Sequence, residues 1–414
     1  MRQYDIAVVG GGAAGMMAAI VAAENGADVV ILEHMDTIGK KILMTGNGKC
    51  NYTNRKQGIE WYYGDNPAFV LPVFEQFGFD KTIDFMRKLG IWPKEKNGYF
   101  YPASEQAAAV LEVLQMELRR LNVKICCNIG IRKIIPDEDG FTFETKTENY
   151  RSRKCLIATG GKAAKKTGSD GSGFLYLEAL GHHIIDVVPA LVALQAEQSY
   201  FKDIAGIRAD AMVRLYVDGT VKTEESGEVQ LTDYGISGIP VFQLSRIAAK
   251  ALLNGQKVTA GIDFARELTF HELEVVLKMR CRSGKKTAEE FLVGMYPKKL
   301  IPVLLSLAEI EPLTLADQIP DAKITALAEV IKEFPVTVTG TKKFDYAQTT
   351  AGGVDTSEIN NESLESKLVP GLYFAGEVID IDGKCGGYNL QWAWSSGYVA
   401  GLHAAMALSG EETC

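Results

Sequence analysis

The sequence predicts an α/β fold in which the two ends of the chain build one doubly wound domain and the middle is an insertion. Three observations predict it. Near the N-terminus the apolar run Ile6–Val9 leads into Gly10-x-Gly12-x-x-Gly15, followed by small and apolar residues from Met16 to Asn25. Near the C-terminus a buried-strand pattern with a glycine-rich sequel recurs, at Gly371-Leu-Tyr-Phe-Ala-Gly-Glu377 and Gly386-Gly-Tyr-Asn-Leu-Gln391. Between them the pattern changes twice, first to short alternating strands and then to amphipathic helices.

The first element reads as strand, turn and helix. Gly10 allows a tight turn, Gly12 lets backbone approach a pyrophosphate, and Gly15 lets the helix pack close to the strand. Ala13 and Ala14 sit where a helix N-terminus offers unpaired N–H groups to phosphate. The next buried strand, Asp28–Leu32, ends in Glu33. That position, roughly 20 residues past the glycines, is where such folds place a carboxylate on ribose hydroxyls. An acid there disfavours a 2′-phosphate, and hence NADP, in this site.

The following loop points to FAD rather than NAD. Lys40, Lys41, Thr45, Gly46, Asn47, Gly48, Lys49, Cys50 and Asn51 form a polar stretch with closely spaced backbone N–H groups and three cations for phosphate. Val123–Ile131 resembles the strand that brings backbone near an adenine, with Ile131 at its end. The buried strand Lys154–Ala158 ends in Thr159, Gly160 and Gly161, an element that recurs in flavoproteins of the two-dinucleotide-binding type. Phe374-Ala-Gly376-Glu377 resembles their closing strand, whose acid lies near the ribityl chain and pyrophosphate. Tyr388, Asn389, Leu390 and Gln391 are expected beside the flavin ring, leading into a helix from Trp392 to Met406. A helix N-terminus there would stabilise negative charge on a reduced flavin. Trp392 itself is expected in the core. The expected fold is thus a Rossmann-like two-dinucleotide-binding-type FAD domain with an inserted β-domain and a helical subdomain, holding tightly bound, non-covalent FAD.

These motifs carry a more specific resemblance. Thr45–Asn54, Gly98-Tyr-Phe-Tyr-Pro-Ala-Ser104, Gly235-Ile-Ser-Gly238, Ala351-Gly-Gly-Val354 and Gly386–Tyr398 are similar to the aminoacetone-oxidase-like bacterial flavoproteins. That family, of the NAD(P)/FAD-dependent oxidoreductase type, also contains bile-acid 4,6-reductases. The resemblance implies an FAD-dependent oxidoreductase. This chain departs from the family's pattern at Thr232-Asp233-Tyr234, where a Thr-His pair is common.

For reduction of an activated C=C bond, a hydride goes to the electrophilic carbon and an acid protonates its neighbour. Tyr388, Tyr234 and Asp233 are the candidate acids. The expected substrate is a small, largely apolar molecule of the 3-oxo-4-ene steroid or bile-acid type. Electrons would come from NAD(P)H, or from a redox partner. The chain shows no second Gly-x-Gly-x-x-Gly turn, so NAD(P)H would dock transiently. The alternatives are an amine oxidase using oxygen, a tRNA-modifying flavoprotein, and a flavin-binding sensor without turnover. Cys50 and Cys385 both fall in flavin loops, but they lack Cys-x-x-Cys spacing and read as small buried thiols.

Composition bounds the rest. The 414 residues allow two or three domains, and the net charge of −8 disfavours a nucleic-acid surface. No apolar run is long enough to span a membrane, and the N-terminus enters a strand with no signal-peptide pattern. Seven scattered cysteines fit a reducing, cytoplasmic setting, and no His/Cys cluster has metal-ligand spacing. The expected domains are 1–188 with 349–414 for FAD, 189–264 with 333–348 as the β-rich part, and 265–332 as the helical subdomain. Pro67–Leu89 and Ala107–Leu121 are expected as helices, and turns are expected at Asp218-Gly219 and Ser226-Gly227.

Overall fold

The computed structural model describes residues 3–282 and 285–411. The chain divides into two compact units. One contains the residues up to Val188 and those from Gln348 onward; the other is Pro189–Ala347.

The first unit is built on a seven-stranded sheet. Strand β1 (Gln3–Val9) lies at its centre, and helix α1 (Ala13–Glu24) follows. Strands β2 (Val29–Leu32) and β3 (Lys124–Cys126) extend the sheet in parallel on one side. On the other side β1 pairs in parallel with β6 (Tyr150–Ile157), which continues antiparallel to β5 (Gly140–Thr145) and β4 (Ile131–Asp137). β6 changes partner along its length. Tyr150–Ser152 pair with β5, while Cys155–Ile157 pair in parallel with the late strand Leu372–Phe374. The C-terminal part of the chain is thereby stitched into the sheet that the N-terminal strand begins.

Strands buried on both faces read as continuous apolar runs, and β2, Val-Val-Ile-Leu, is buried throughout. Helix α1 is buried from Ala14 to Ala22, with little amphipathic contrast, because it is covered on several sides. Part of that cover is the C-terminal helix Tyr388–Glu411. A Cβ on Gly397 would lie 2.5 Å from the Ala14 carbonyl oxygen, and one on Gly401 would lie 2.4 Å from that of Ala18. Glycine therefore permits the close approach, and the matched order of the contacts shows that the two helices run parallel.

The second unit contains a closed six-stranded antiparallel barrel. Around it the strands follow the order Leu194–Ala196, Gly235–Ser237, Thr220–Thr232, Arg208–Val217, Val258–Asp263 and Phe334–Thr341. Four α-helices, from Phe270–Arg282 to Asp321–Lys332, fall between the last two strands among the described residues. Their buried Leu273, Phe291, Leu304 and Leu327 join Val213, Leu215 and Phe334 of the barrel in one core.

Several local expectations need correction. The stretch 189–264, expected to be β-rich, contains a 15-residue helix, Ile239–Leu253. Pro240 starts it, and Val241, Leu244, Ala248 and Ala251 form its buried stripe. Asp218-Gly219 is a hairpin turn, with φ of +49° and +78°. Ser226-Gly227 is not a turn but lies inside the strand Thr220–Thr232. There Gly227 leaves room for Pro240, which a Cβ would meet at 3.2 Å. The 67–89 stretch breaks at Phe77-Gly78 into two α-helices. The polar loop after Gly39 opens with a short helix, Lys40–Met44, and the C-terminal helix begins at Tyr388 rather than Trp392.

Candidate functional site

Helix α1 supplies the first wall of the site. Its N-cap, Gly12, has extended backbone, and no side chain caps it. The opening N–H groups of a helix lack intrahelical partners and carry partial positive charge. Gly10 turns the chain at φ +101°, where a Cβ would strike the Ala158 carbonyl. A Cβ on Gly15 would lie 1.9 Å from the Gly10 carbonyl oxygen. Gly12 differs, because a Cβ there would meet nothing within 4 Å. Gly10 and Gly15 are thus required by packing, while Gly12 opens onto free space.

That space is a cleft within the first unit. Among the expected cofactor residues, Gly10, Gly12, Ala13, Ala14, Glu33, Lys40, Lys41 and Thr45 line it. So do Ile131, Thr159, Gly160, Gly376, Glu377, Asn389 and Leu390. At one end Glu33 is buried; its carboxylate accepts from Gly11 N and Met35 N, both at 2.8 Å. It thereby ties the first turn to the end of β2. At the other end Lys41 Nζ donates to Glu377 Oε2 at 2.7 Å. The C-terminal helix anchors the turn that carries Glu377. Gly376 N donates to Ser396 Oγ at 2.8 Å, and Trp392 Nε1 donates to Gly376 O at 3.1 Å. Trp392 is accordingly a core residue that also shapes the site.

The two parallel helices begin at different depths. Gly397 lies against Ala14, so the C-terminal helix starts roughly 12 Å beyond the start of α1 at 1.5 Å per residue. Asn389, Leu390 and Ala393 bring that first turn to the cleft. Asn389 is held there by paired bonds to Gly383, accepting from its N at 2.9 Å and donating to its O at 2.8 Å. One cleft therefore meets two staggered helix N-termini. Thr159 lines it, and its hydroxyl, turned toward Gly173, is buried without a hydrogen-bond partner. An extended dinucleotide suits this arrangement, with pyrophosphate at α1 and flavin toward Asn389. The residues present fit FAD.

Other expected residues lie elsewhere. Gly15, Gly46, Asn47, Gly48, Lys49, Cys50 and Asn51 are outside the lining of the cleft. Lys49 is exposed and paired with Glu105. Gln391 is corrected to a structural role. It is fully buried, its Nε2 donates to Thr82 and Ser395 at 2.8 Å, and its Oε1 accepts from Thr53 at 2.5 Å. Gly161 is likewise outside the lining, where it makes room for Thr350.

The candidate acids separate. Tyr388 is buried, stacked on Trp61 with ring centroids 5.1 Å apart, and burial pushes its phenol far above the usual tyrosine range. Its side chain is a packing element, which corrects its assignment as an acid. Tyr234 and Asp233 belong to the barrel unit, between strands Thr220–Thr232 and Gly235–Ser237. Asp233 is exposed, and Lys342 Nζ lies 3.7 Å from the centre of the Tyr234 ring.

Sequence reasoning missed the wall formed by Gly168, Ser169, Ser172 and Tyr176, and missed Gln348. Tyr176 is fixed by donating to Ile131 O at 2.8 Å. The Gly168-Ser-Asp-Gly-Ser-Gly173 turn entering a helix was the available signal. Among the described residues, no group of three His, Cys, Asp or Glu could hold a metal, and no helix is long and apolar enough to cross a membrane.

A Rossmann-type FAD domain carrying a separate antiparallel barrel defines an FAD-dependent oxidoreductase. Residues 4–403 match the HI0933-like protein Rossmann domain, and the chain belongs to that flavoprotein family. It is 43% identical over 403 residues to the 3-dehydro-bile acid delta(4,6)-reductase of Clostridium scindens, covering 97% of this chain and 98% of that protein. It is 30% identical over 403 residues to the ribosomal RNA dihydrouridine synthase of Escherichia coli, covering 96% and 97%. Among solved structures, a flavocytochrome c3 fumarate reductase in an open conformation shares the fold, with a TM-score of 0.51 at 16% identity. That match covers 98% of this chain and 78% of the reductase.

Proposed function

We propose that this protein uses tightly bound FAD to reduce an activated C=C bond in a small, largely apolar substrate of the 3-oxo-4-ene steroid or bile-acid type. The observation that carries this reading is the near full-length similarity to the Clostridium scindens reductase. A delta(4,6)-reductase and a dihydrouridine synthase both, by name, add hydrogen across a C=C bond, so one kind of chemistry spans both relatives. When bound, FAD would supply the hydride-transfer chemistry. The chain's own residues bind and orient it: Glu33 toward the ribose, α1 toward the pyrophosphate, Lys41 and Glu377 toward the flavin half. Tyr234, with Asp233 beside it, is the proposed proton donor. NAD(P)H docking transiently, or a redox partner, supplies the electrons. The proposed setting is cytoplasmic.

A second reading, an RNA uridine as substrate, is favoured by the dihydrouridine synthases alone. The net charge of −8 weighs against it, because nucleic-acid binding rests largely on phosphate contacts by cations. Anaerobic stopped-flow absorbance tests the proposal. The flavin is reduced with NADH or NADPH, then mixed with a 3-oxo-4-ene bile acid. Prompt flavin reoxidation with loss of enone absorbance is the expected result. No reaction with the enone, but rapid reoxidation by oxygen with peroxide release, would replace the proposal with an amine oxidase.

A further inference from the structure

The strand Thr349–Val354 returns the chain to the cofactor unit and pairs with the outgoing strand Ile184–Ala190. Its second residue, Thr350, is 1% exposed and lies outside the lining of the cleft. Thr350 Oγ1 accepts from Lys162 N at 2.8 Å and from Ala163 N at 3.0 Å. Its own N–H donates to Glu377 Oε1 at 2.9 Å. The other oxygen of that carboxylate holds Lys41. One side chain and its amide therefore grip both the turn that follows Thr159-Gly160 and the acid beside it.

The neighbouring glycine confirms how tight this junction is. A Cβ on Gly161 would lie 2.4 Å from Thr350 Oγ1 and 2.8 Å from Glu377 Oε1. The second glycine of the Gly160-Gly161 pair is thus there to admit Thr350. A hydroxyl also suits the position chemically. It offers two acceptor lone pairs to two N–H groups, whereas valine has the same shape and none.

We infer that Thr350 is a positioning residue for the FAD site: its hydroxyl holds the Gly160–Ala163 turn and its amide holds Glu377, so that cofactor affinity depends on a side chain lying behind the cleft. This rests on the FAD cleft and not on the identity of the substrate. Thr350→Val removes the acceptor while keeping shape and amide. Its expected effect is FAD binding weaker by roughly 10- to 100-fold, as befits one buried and one part-buried N–H group losing their acceptor. Flavin-fluorescence titration of the apoprotein measures it. Hydrogen exchange in the apoprotein should show faster exchange at the Lys162 and Ala163 amides. Thr350→Ser should restore the affinity to within about threefold, since the hydroxyl is retained. If Thr350→Val folds poorly, Gly161→Ala displaces the same junction from the other side and should weaken FAD binding likewise. A folded Thr350→Val protein with wild-type FAD affinity would reduce Thr350 to a structural role and overturn the inference. So would a serine variant as weak as valine.

Discussion

Lys41 Nζ donates to Glu377 Oε2 at 2.7 Å, although 336 residues separate them in the chain. The pair joins the helix after the first glycine turn to the segment that closes the site. Both side chains are mostly shielded, with 25% and 18% exposure, so the contact is screened less than a surface pair. Lys41→Met and Glu377→Gln should each weaken FAD binding by about 10- to 100-fold, the range of roughly 1.5–3 kcal/mol for a hydrogen bond to a charged group. Titration of the apoproteins with FAD measures both. The double variant should lose less than the sum; strict additivity would show that the pair does not act as a unit.

Gly12 and Gly15 should respond oppositely to the same substitution. Gly12→Ala adds a methyl where no protein atom lies within 4 Å, at φ −77°, a conformation alanine adopts freely. It should leave apoprotein stability within about 1 kcal/mol of wild type and weaken FAD binding. Gly15→Ala forces a methyl to 1.9 Å from the Gly10 carbonyl oxygen. It should destabilise the apoprotein itself by at least about 2 kcal/mol. Urea unfolding in the absence of FAD separates the two.

Cys50 argues against a redox thiol. It is free, fully buried and held at φ +57°, and burial raises its pKa from 9.0 to about 11 against a small opposing pull from Thr45. Burial raises Cys385 too. Neither thiol is poised as a thiolate near neutrality. Because the folded state holds the Cys50 proton more tightly, its contribution is complete below pH 9 and is lost as pH rises through about 11. Wild type should therefore lose roughly 2 kcal/mol more stability than Cys50→Ala between pH 9 and 11. Equilibrium unfolding across that range checks it; parallel curves would refute it.

Gln391 shows where sequence legibility ends. The glycine turn, Glu33 and the closing Glu377 were readable because each follows from strand, turn and helix order within a short window. Tyr388 and Gln391 follow an equally suggestive glycine pair, Gly386-Gly387, yet their side chains turn inward, toward Trp61 and toward Thr53 and Thr82. Those partners are distant in sequence, so no local pattern announces them. The helix Ile239–Leu253 was missed for a different reason. Its apolar stripe has helical spacing, but it follows directly on strand-like segments, and only the closed barrel explains the change. Gln391→Leu should cost about 1–3 kcal/mol of stability by leaving buried hydroxyls unpaired, while FAD affinity of the folded protein stays near wild type. Thermal unfolding and FAD titration together test that separation.

Glu358, His182 and Ser366 have the spacing of an acid–base–nucleophile relay without the means to act as one. Glu358 Oε2 lies 2.9 Å from His182 Nδ1, and Ser366 Oγ lies 3.0 Å from His182 Nε2. A working serine needs a free lone pair aimed at substrate. Ser366 Oγ already accepts from Leu368 N at 3.0 Å and from Val369 N at 2.8 Å, and the His182 side chain has no exposure. Phe374, on the strand beside β6, closes the histidine's ring edge-on at 5.1 Å. The three residues therefore pin the segment before that strand to the end of the Ser172–Ala179 helix region. Ser366→Ala should lower stability by about 1–3 kcal/mol through the unpaired N–H groups it leaves. A fluorophosphonate probe should fail to label Ser366 in the folded protein. Labelling that disappears in Ser366→Ala would show instead that the hydroxyl is reachable and nucleophilic.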